Sequence, residues 1–149
     1  MKKLFELGWI VFVFLVLVSA FARGLDMPPA AQAKLGDLYK NAEETFYTIN
    51  CEEFSFTYDV NGMTTKISSS HECNRNQVII YTNTAGIVHT HPDSERQPSY
   101  VDIDVAKKFH IPNYVLSVDE LWVALPSGES KRVAFISWRK GKLVIHEVH

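Results

Sequence analysis

Two cysteines, Cys51 and Cys73, are all that this 149-residue chain carries, and no second Cys-x-x-Cys or His-x-x-x-His partner accompanies them. That argues against a structural zinc module built on cysteine, because such sites need four protein ligands. Runs of five or more like charges are absent, and 15 Lys plus Arg stand against 17 Asp plus Glu, for a net charge of −2. Nothing in that balance is built for a phosphate backbone, so a nucleic-acid partner is not expected. A Gly-x-Ser-x-Gly nucleophile elbow is missing. There is no internal repeat and no low-complexity stretch. What is present is ordinary globular composition, 46% hydrophobic and 21% charged, in a length that accommodates one domain.

The first 22 residues read differently from the rest. Lys2 and Lys3 precede ten uninterrupted apolar residues, Trp9 to Val18, and Ala20-Phe21-Ala22 then places small residues at −3 and −1 of a cut after Ala22. This is the pattern of a secretory signal peptide. Even Leu7 to Ala22 is shorter than the roughly 20 residues that span a bilayer. The expected organisation is therefore a signal peptide over residues 1–22 and a single domain over residues 23–149, periplasmic or secreted, touching a membrane only if the leader stays uncleaved. The mature chain would have 127 residues with 13 basic and 16 acidic side chains. In an oxidising compartment Cys51 and Cys73 are expected to pair, closing a loop worth roughly 3 kcal/mol on the chain-entropy model. Buried free thiols, or a metal pair of Cys73 with His71, are the alternatives.

Periodicity organises the remainder. Leu35, Leu38, Ala42, Phe46 and Tyr47 recur at helical spacing and predict one amphipathic helix over Ala30 to Ile49. From Glu53 the period is two, with Phe54, Phe56 and Tyr58 alternating with Ser55, Thr57 and Asp59. Asn61-Gly62 then signals a hairpin returning through Met63 to Ser68. Ser68 to Asn76 reads as a polar loop, and Val78 to Tyr81 and Ala85 to His91 as short strands. Ser99 is placed to cap a helix that ends near His110, ahead of Pro112. Four further β-rich runs follow, Tyr114 to Val118, Leu121 to Leu125, Arg132 to Trp138 and Lys142 to Val148. Two helices and about seven strands in this order predict an α/β or α+β fold with a mixed sheet flanked by helices.

Chemistry concentrates in one stretch. His89 and His91 stand at i and i+2 of a predicted strand, so both imidazoles project from one face. Ser99 and Asp102 open the next helix, and the Pro92 to Pro98 loop lets that helix start fold back over the strand end. Two His and one carboxylate with no fourth protein ligand is the open arrangement of a catalytic zinc, in which water takes the last position. Such a site also needs a general base and an oxyanion donor. Ser99 is the candidate donor. Taken singly, each residue has a plainer reading: a strand histidine, a helix cap, an acid in a first helical turn. His71, His110, His146 and His149 have no organised neighbours and read as surface residues. Metallo-β-lactamase-like sites would need His-x-His-x-Asp-His, and zinc nucleobase deaminases a Pro-Cys-x-x-Cys; neither is here.

His89-Thr90-His91-Pro92, the seven residues Pro92 to Pro98, and Ser99-x-x-Asp102 together resemble the JAMM (MPN/JAB) zinc metallopeptidase motif at all four of its positions. The stretch from Asp102-Ile103 through Ile111-Pro112-Asn113-Tyr114-Val115 to Leu121-Trp122 is similar to bacterial members of that superfamily. The resemblance runs from about Glu52 to Leu125. It implies an MPN/JAB-like, cytidine-deaminase-like sandwich and one zinc ion held by His89, His91 and Asp102. It further implies that Ser99 steadies a tetrahedral intermediate and that an upstream strand glutamate serves as base. Glu52 and Glu53 both begin the first predicted strand, and Glu72 lies further on. Alternation puts Glu52 with Phe54, Phe56 and Tyr58, the side expected to be buried, and Glu53 with a face expected to be solvated, which favours Glu52. Ser55 stands where relatives often have glycine, leaving the register open by one residue. The expected activity is zinc-dependent hydrolysis of a peptide or isopeptide amide in a peptide or protein substrate. Ubiquitin is not expected as a partner for an exported chain of this length. A catalytically silent binding module on the same scaffold, or an exported effector or immunity component, are the alternatives.

Overall fold

A computed structural model describes residues 25–47, 51–73, 77–92 and 95–149. The expected signal peptide lies outside the described residues, as do the last residues of the first predicted helix. Helix α1 spans Pro29–Tyr47, and helix α2 spans Tyr100–Phe109. The strands are β1 Glu52–Asp59, β2 Ser68–Cys73, β3 Thr84–Thr90, β4 Asn113–Leu116, β5 Glu120–Ala124, β6 Ser130–Arg139 and β7 Lys142–Glu147. They form one mixed sheet in the order β2-β1-β3-β4-β5-β6-β7. Only β3 and β4 run parallel, so only they require a crossover, and α2 supplies it.

Pro29 opens α1 at the position where a missing N–H costs nothing. The stripe Ala31, Leu35, Leu38, Ala42 and Phe46 is fully buried against Phe56, Val88, Leu116, Leu121 and Ala134 of the sheet. Apolar burial of this kind, about 25 cal/mol per Å² removed from water, is the main force holding α1 down. Tyr58 packs against the backbone of Gly86, where a Cβ would come within 2.2 Å of the ring. Only glycine permits that approach. The Tyr114 hydroxyl donates to the Asp26 carbonyl at 2.5 Å, and Glu147 Oε1 accepts from Leu25 N at 2.9 Å. Those two bonds tie the entering chain to the sheet.

The hairpin differs from expectation. Asn61-Gly62 does make the turn, with Gly62 at φ +81° and Asp59 Oδ1 accepting from the N–H groups of Asn61 and Met63. The returning segment is no regular strand: Thr64 makes one bridge to Tyr58, and Thr65 Oγ1 accepts from Thr57 N at 2.9 Å. A side-chain oxygen has replaced the backbone carbonyl there and interrupts the ladder. Pairing resumes at Ser68, so the expected strand over Met63 to Ser68 and the expected loop from Ser68 are replaced by β2 at Ser68–Cys73. Val78 to Tyr81 is likewise not a strand, and Ile79 and Tyr81 are exposed.

Cys51 and Cys73 are disulfide-bonded, with Cα atoms 4.8 Å apart, which joins the start of β1 to the end of β2. The bond fits a protein that matures outside the reducing cytoplasm. Among the described residues no helix is long and apolar enough to cross a membrane.

Candidate metal centre

β3 is an inner strand, paired with β1 on one side and β4 on the other. Its alternation sends Val88 into the α1 core and His89 to the opposite face, beside Ser55 of β1 and Val115 of β4. Thr90 lies between the histidines, and its hydroxyl accepts from Phe54 N at 3.0 Å, locking β1 to β3 at this height. His91 follows the strand but still donates its backbone N–H to the Leu116 carbonyl at 3.1 Å. The chain then leaves the C-terminal end of β3 and must return to start the parallel β4, which brings the first turn of α2 over the same end.

That first turn is built by a capping box. Ser99 is the N-cap, its Oγ accepting from Asp102 N at 3.3 Å, while Asp102 Oδ2 accepts from Ser99 N at 2.7 Å. The Ser99 hydroxyl donates to the same Oδ2 at 2.7 Å. The box fixes Asp102 at the helix position that faces the histidines. The helix ends as expected at His110, in left-handed conformation at φ 56°.

His89, His91 and Asp102 converge. His89 Nε2 lies 3.1 Å from His91 Nε2 and 3.1 Å from Asp102 Oδ1, and His91 Nε2 lies 3.3 Å from Asp102 Oδ2. Metal–ligand bonds of about 2.0–2.1 Å at tetrahedral angles place neighbouring donors about 3.3–3.4 Å apart; the two imidazoles are near that spacing, and the carboxylate faces one of them with each of its oxygens. All three residues are buried, at 5%, 3% and 9% exposure. His91 Nδ1 lies 3.0 Å from the Glu95 carbonyl, which makes Nδ1 a donor and turns Nε2 toward the cluster, where it donates to Asp102 and, on losing that proton, would offer a lone pair to an ion. A buried group of this composition could hold a metal ion.

The electrostatics agree with a cation site. Burial opposes ionisation of Asp102, but hydrogen bonds from His89, His91 and Ser99 outweigh it and hold the carboxyl well below the usual carboxylate range. Burial likewise disfavours the His91 imidazolium, and the bond to Asp102 reverses the balance and raises it. Asp102 thus keeps its negative charge in a place from which water is largely excluded, balanced by the histidines that face it.

The two glutamates at the start of β1 part company. Glu52 Oε1 accepts from the Ser69 hydroxyl at 2.5 Å and pairs with His71 Nδ1 at 2.8 Å, on the β2 side. Glu53 is half-buried, and its carboxyl is pushed up by burial, an effect that the charges of His89 and His91 partly offset and that of Asp102 reinforces. Glu53 shares its strand face with Ser55, which pairs with His89, and its carboxyl feels the charges of all three cluster residues. The face expected to be solvated is not: Ser55 and Thr57 are 1% and 4% exposed. β1 is an inner strand, buried on both faces, so alternation alone could not identify its wet side. Glu72 is exposed on β2. His71, read from sequence as lacking organised neighbours, has Glu52 as its partner. Asn113, which opens β4, is 3% exposed and donates from Nδ2 to Asp102 O at 3.3 Å and to Asp102 Oδ1 at 3.4 Å. A polar residue interrupting an apolar strand was the available signal for it.

No protein-family model matches the chain, and neither the curated proteins nor the solved structures contain a significant match to it.

Proposed function

We propose that this protein is an exported zinc metallopeptidase of JAMM type, hydrolysing a peptide or isopeptide amide bond. The observation that carries the reading is the convergence of the buried His89, His91 and Asp102 side chains on one point, with Glu53 on the strand face that pairs with His89 through Ser55. A divalent metal held by these three donors would acidify a water toward neutral pH and polarise the carbonyl of the scissile amide. Glu53 takes the proton of the attacking water and delivers it to the departing amine. Burial suits it to both tasks, because a raised pKa brings a carboxyl closer to the working pH. Ser99 lies beside Asp102 with a hydroxyl that can turn from Oδ2 toward the oxyanion of the tetrahedral intermediate. The assignment of the base to Glu53 rather than Glu52 rests on Glu53 sharing the strand face of Ser55, which pairs with His89, while the Glu52 carboxylate is engaged by Ser69 and His71. The order of a hairpin, a His-x-His strand, a crossover helix and a parallel strand supports an MPN/JAB-like sandwich. The disulfide supports a periplasmic or secreted location.

The test is metal content of the purified protein beside a His89→Ala/His91→Ala double variant, both exchanged against zinc. About one zinc per parent chain and almost none in the variant is expected. A parent chain that stays empty would leave the scaffold a binding module.

A further inference from the structure

We infer that Asn113 is a positioning residue of the metal centre, holding the Asp102 carboxylate from behind so that Oδ1 faces His89. The inference rests on reading His89, His91 and Asp102 as metal ligands, and it concerns a residue outside the four-position motif.

Asn113 costs the fold something. Its Oδ1 is buried with no hydrogen-bond partner among the described residues. An orphaned polar atom of this kind destabilises the fold, whereas an apolar residue of similar volume would carry no such penalty in the strand. The amide must also face as it does. With Oδ1 turned toward Asp102, an acceptor would confront both the Asp102 carbonyl and its carboxylate, so only Nδ2 fits there. What that cost secures is visible in the bonding of Asp102. Ser99 supplies both of its donors to Oδ2, and Asn113 supplies the neutral donor to Oδ1 while also holding the backbone carbonyl of the same residue. Each carboxylate oxygen is therefore fixed by a neutral donor and keeps its charge for the histidine side. An arginine or lysine in the same place would fix the carboxylate equally well but neutralise it. Asn113 reaches this position because β4 runs parallel to β3, pairing Asn113 with Ile87, two residues before His89 on the same face. The helix that bears Asp102 is thereby tied to the sheet that bears the histidines. Hydrogen-bond partners of metal ligands commonly contribute 10–100-fold in metal affinity.

The experiment is a zinc titration of the full chain against a chromophoric chelator, for the parent, Asn113→Leu and Asn113→Asp. Cobalt absorption spectra of the same proteins report ligand geometry. Leu116→Ala, on the α1 side of the same strand, is the control for a merely weakened β4. Expected are a loss of about 10–100-fold in zinc affinity and an altered cobalt spectrum in folded Asn113→Leu. The control should lose stability but keep the parental affinity and spectrum. Asn113→Asp, which keeps the shape of the parent residue but replaces its donor with a charged carboxylate oxygen, is read by its cobalt spectrum if the leucine variant does not fold. Parental affinity and spectrum in either folded variant would overturn the role of Asn113 and leave the metal centre standing. A loss matched by Leu116→Ala, or a failure of both Asn113 variants to fold, would make the role structural and overturn it as well. Absence of zinc binding in the parent itself would be the distinct failure of the metal-centre reading, and Asn113 would fall with it.

Discussion

The two faces of the sheet have been given different work. Toward α1 the strands present Phe56, Tyr58, Val88, Tyr114, Leu116, Leu121, Val123, Ala134 and Ile136, packed on the apolar stripe of the helix. Toward α2 the same strands present Ser55, Thr57, His89 and Asn113, all buried, with Asp102 descending on them from the helix. Burial is as complete on the second face as on the first, but polar groups there are interleaved with the apolar Ile87 and Val115. Desolvating polar groups gains nothing by itself and must be repaid by hydrogen bonds or charge pairing. Stability therefore comes mainly from the α1 face, and the α2 face carries the capacity for chemistry.

Three experiments would break or sharpen that contrast. The largest effect belongs to the α2 face. Glu53→Gln should lower turnover of any peptide that the parent cleaves by about 10²–10⁴-fold, with zinc content and folding intact. Glu52→Gln, which alters the Ser69 and His71 contacts, should stay near parental. The reverse ranking of the two variants would return the base to Glu52. The α1 face comes next. Phe46→Ala should cost about 3–5 kcal/mol in a denaturant titration, while the chains that remain folded bind zinc as the parent does. A zinc affinity that fell in proportion to stability would show the faces to be coupled.

The smallest effect is a matter of pH. Burial raises the Glu53 carboxyl in the folded chain above its ordinary value of 4.5, so the folded protein holds this proton more tightly than the unfolded one. Below the ordinary value both states are protonated and nothing is lost. As pH rises through the window up to the folded value, stability falls, and the deficit persists at neutral pH. Metal-free Glu53→Gln should therefore melt slightly higher than the metal-free parent at pH 7, with the difference vanishing near pH 4. A lower melting temperature at pH 7 would contradict a strained acid at this position.

The sequence was most readable where one physical rule dominated. The stripe of α1, the capping of α2 by Ser99 and its end before Pro112 follow from spacing and from cap chemistry that involves only near neighbours. The joining of His89 and His91 to Asp102 was also legible, because the i, i+2 geometry of a strand and the first turn of the next helix leave little freedom. The β1–β2 hairpin was misread because Thr65 satisfies Thr57 with its side chain, an event decided by tertiary fit. Likewise, that the face shared by Glu53 and Ser55 is buried could be known only once β1 was known to lie inside the sheet. Asn113 was invisible as a partner of Asp102 because they meet only through the parallel pairing of β3 and β4.

The three proposed ligands fall within the fourteen residues His89 to Asp102, whereas Glu53 reaches them across the sheet from far upstream. A segment so short keeps its donors near one another even when the chain is unfolded. Zinc would then have some affinity for the denatured ensemble, and the stabilisation it gives the native state would fall short of the mass-action value for a ligand that ignores the unfolded chain. The ion could then be captured before the fold is complete, whereas Glu53 joins the site only through the pairing of β1 with β3.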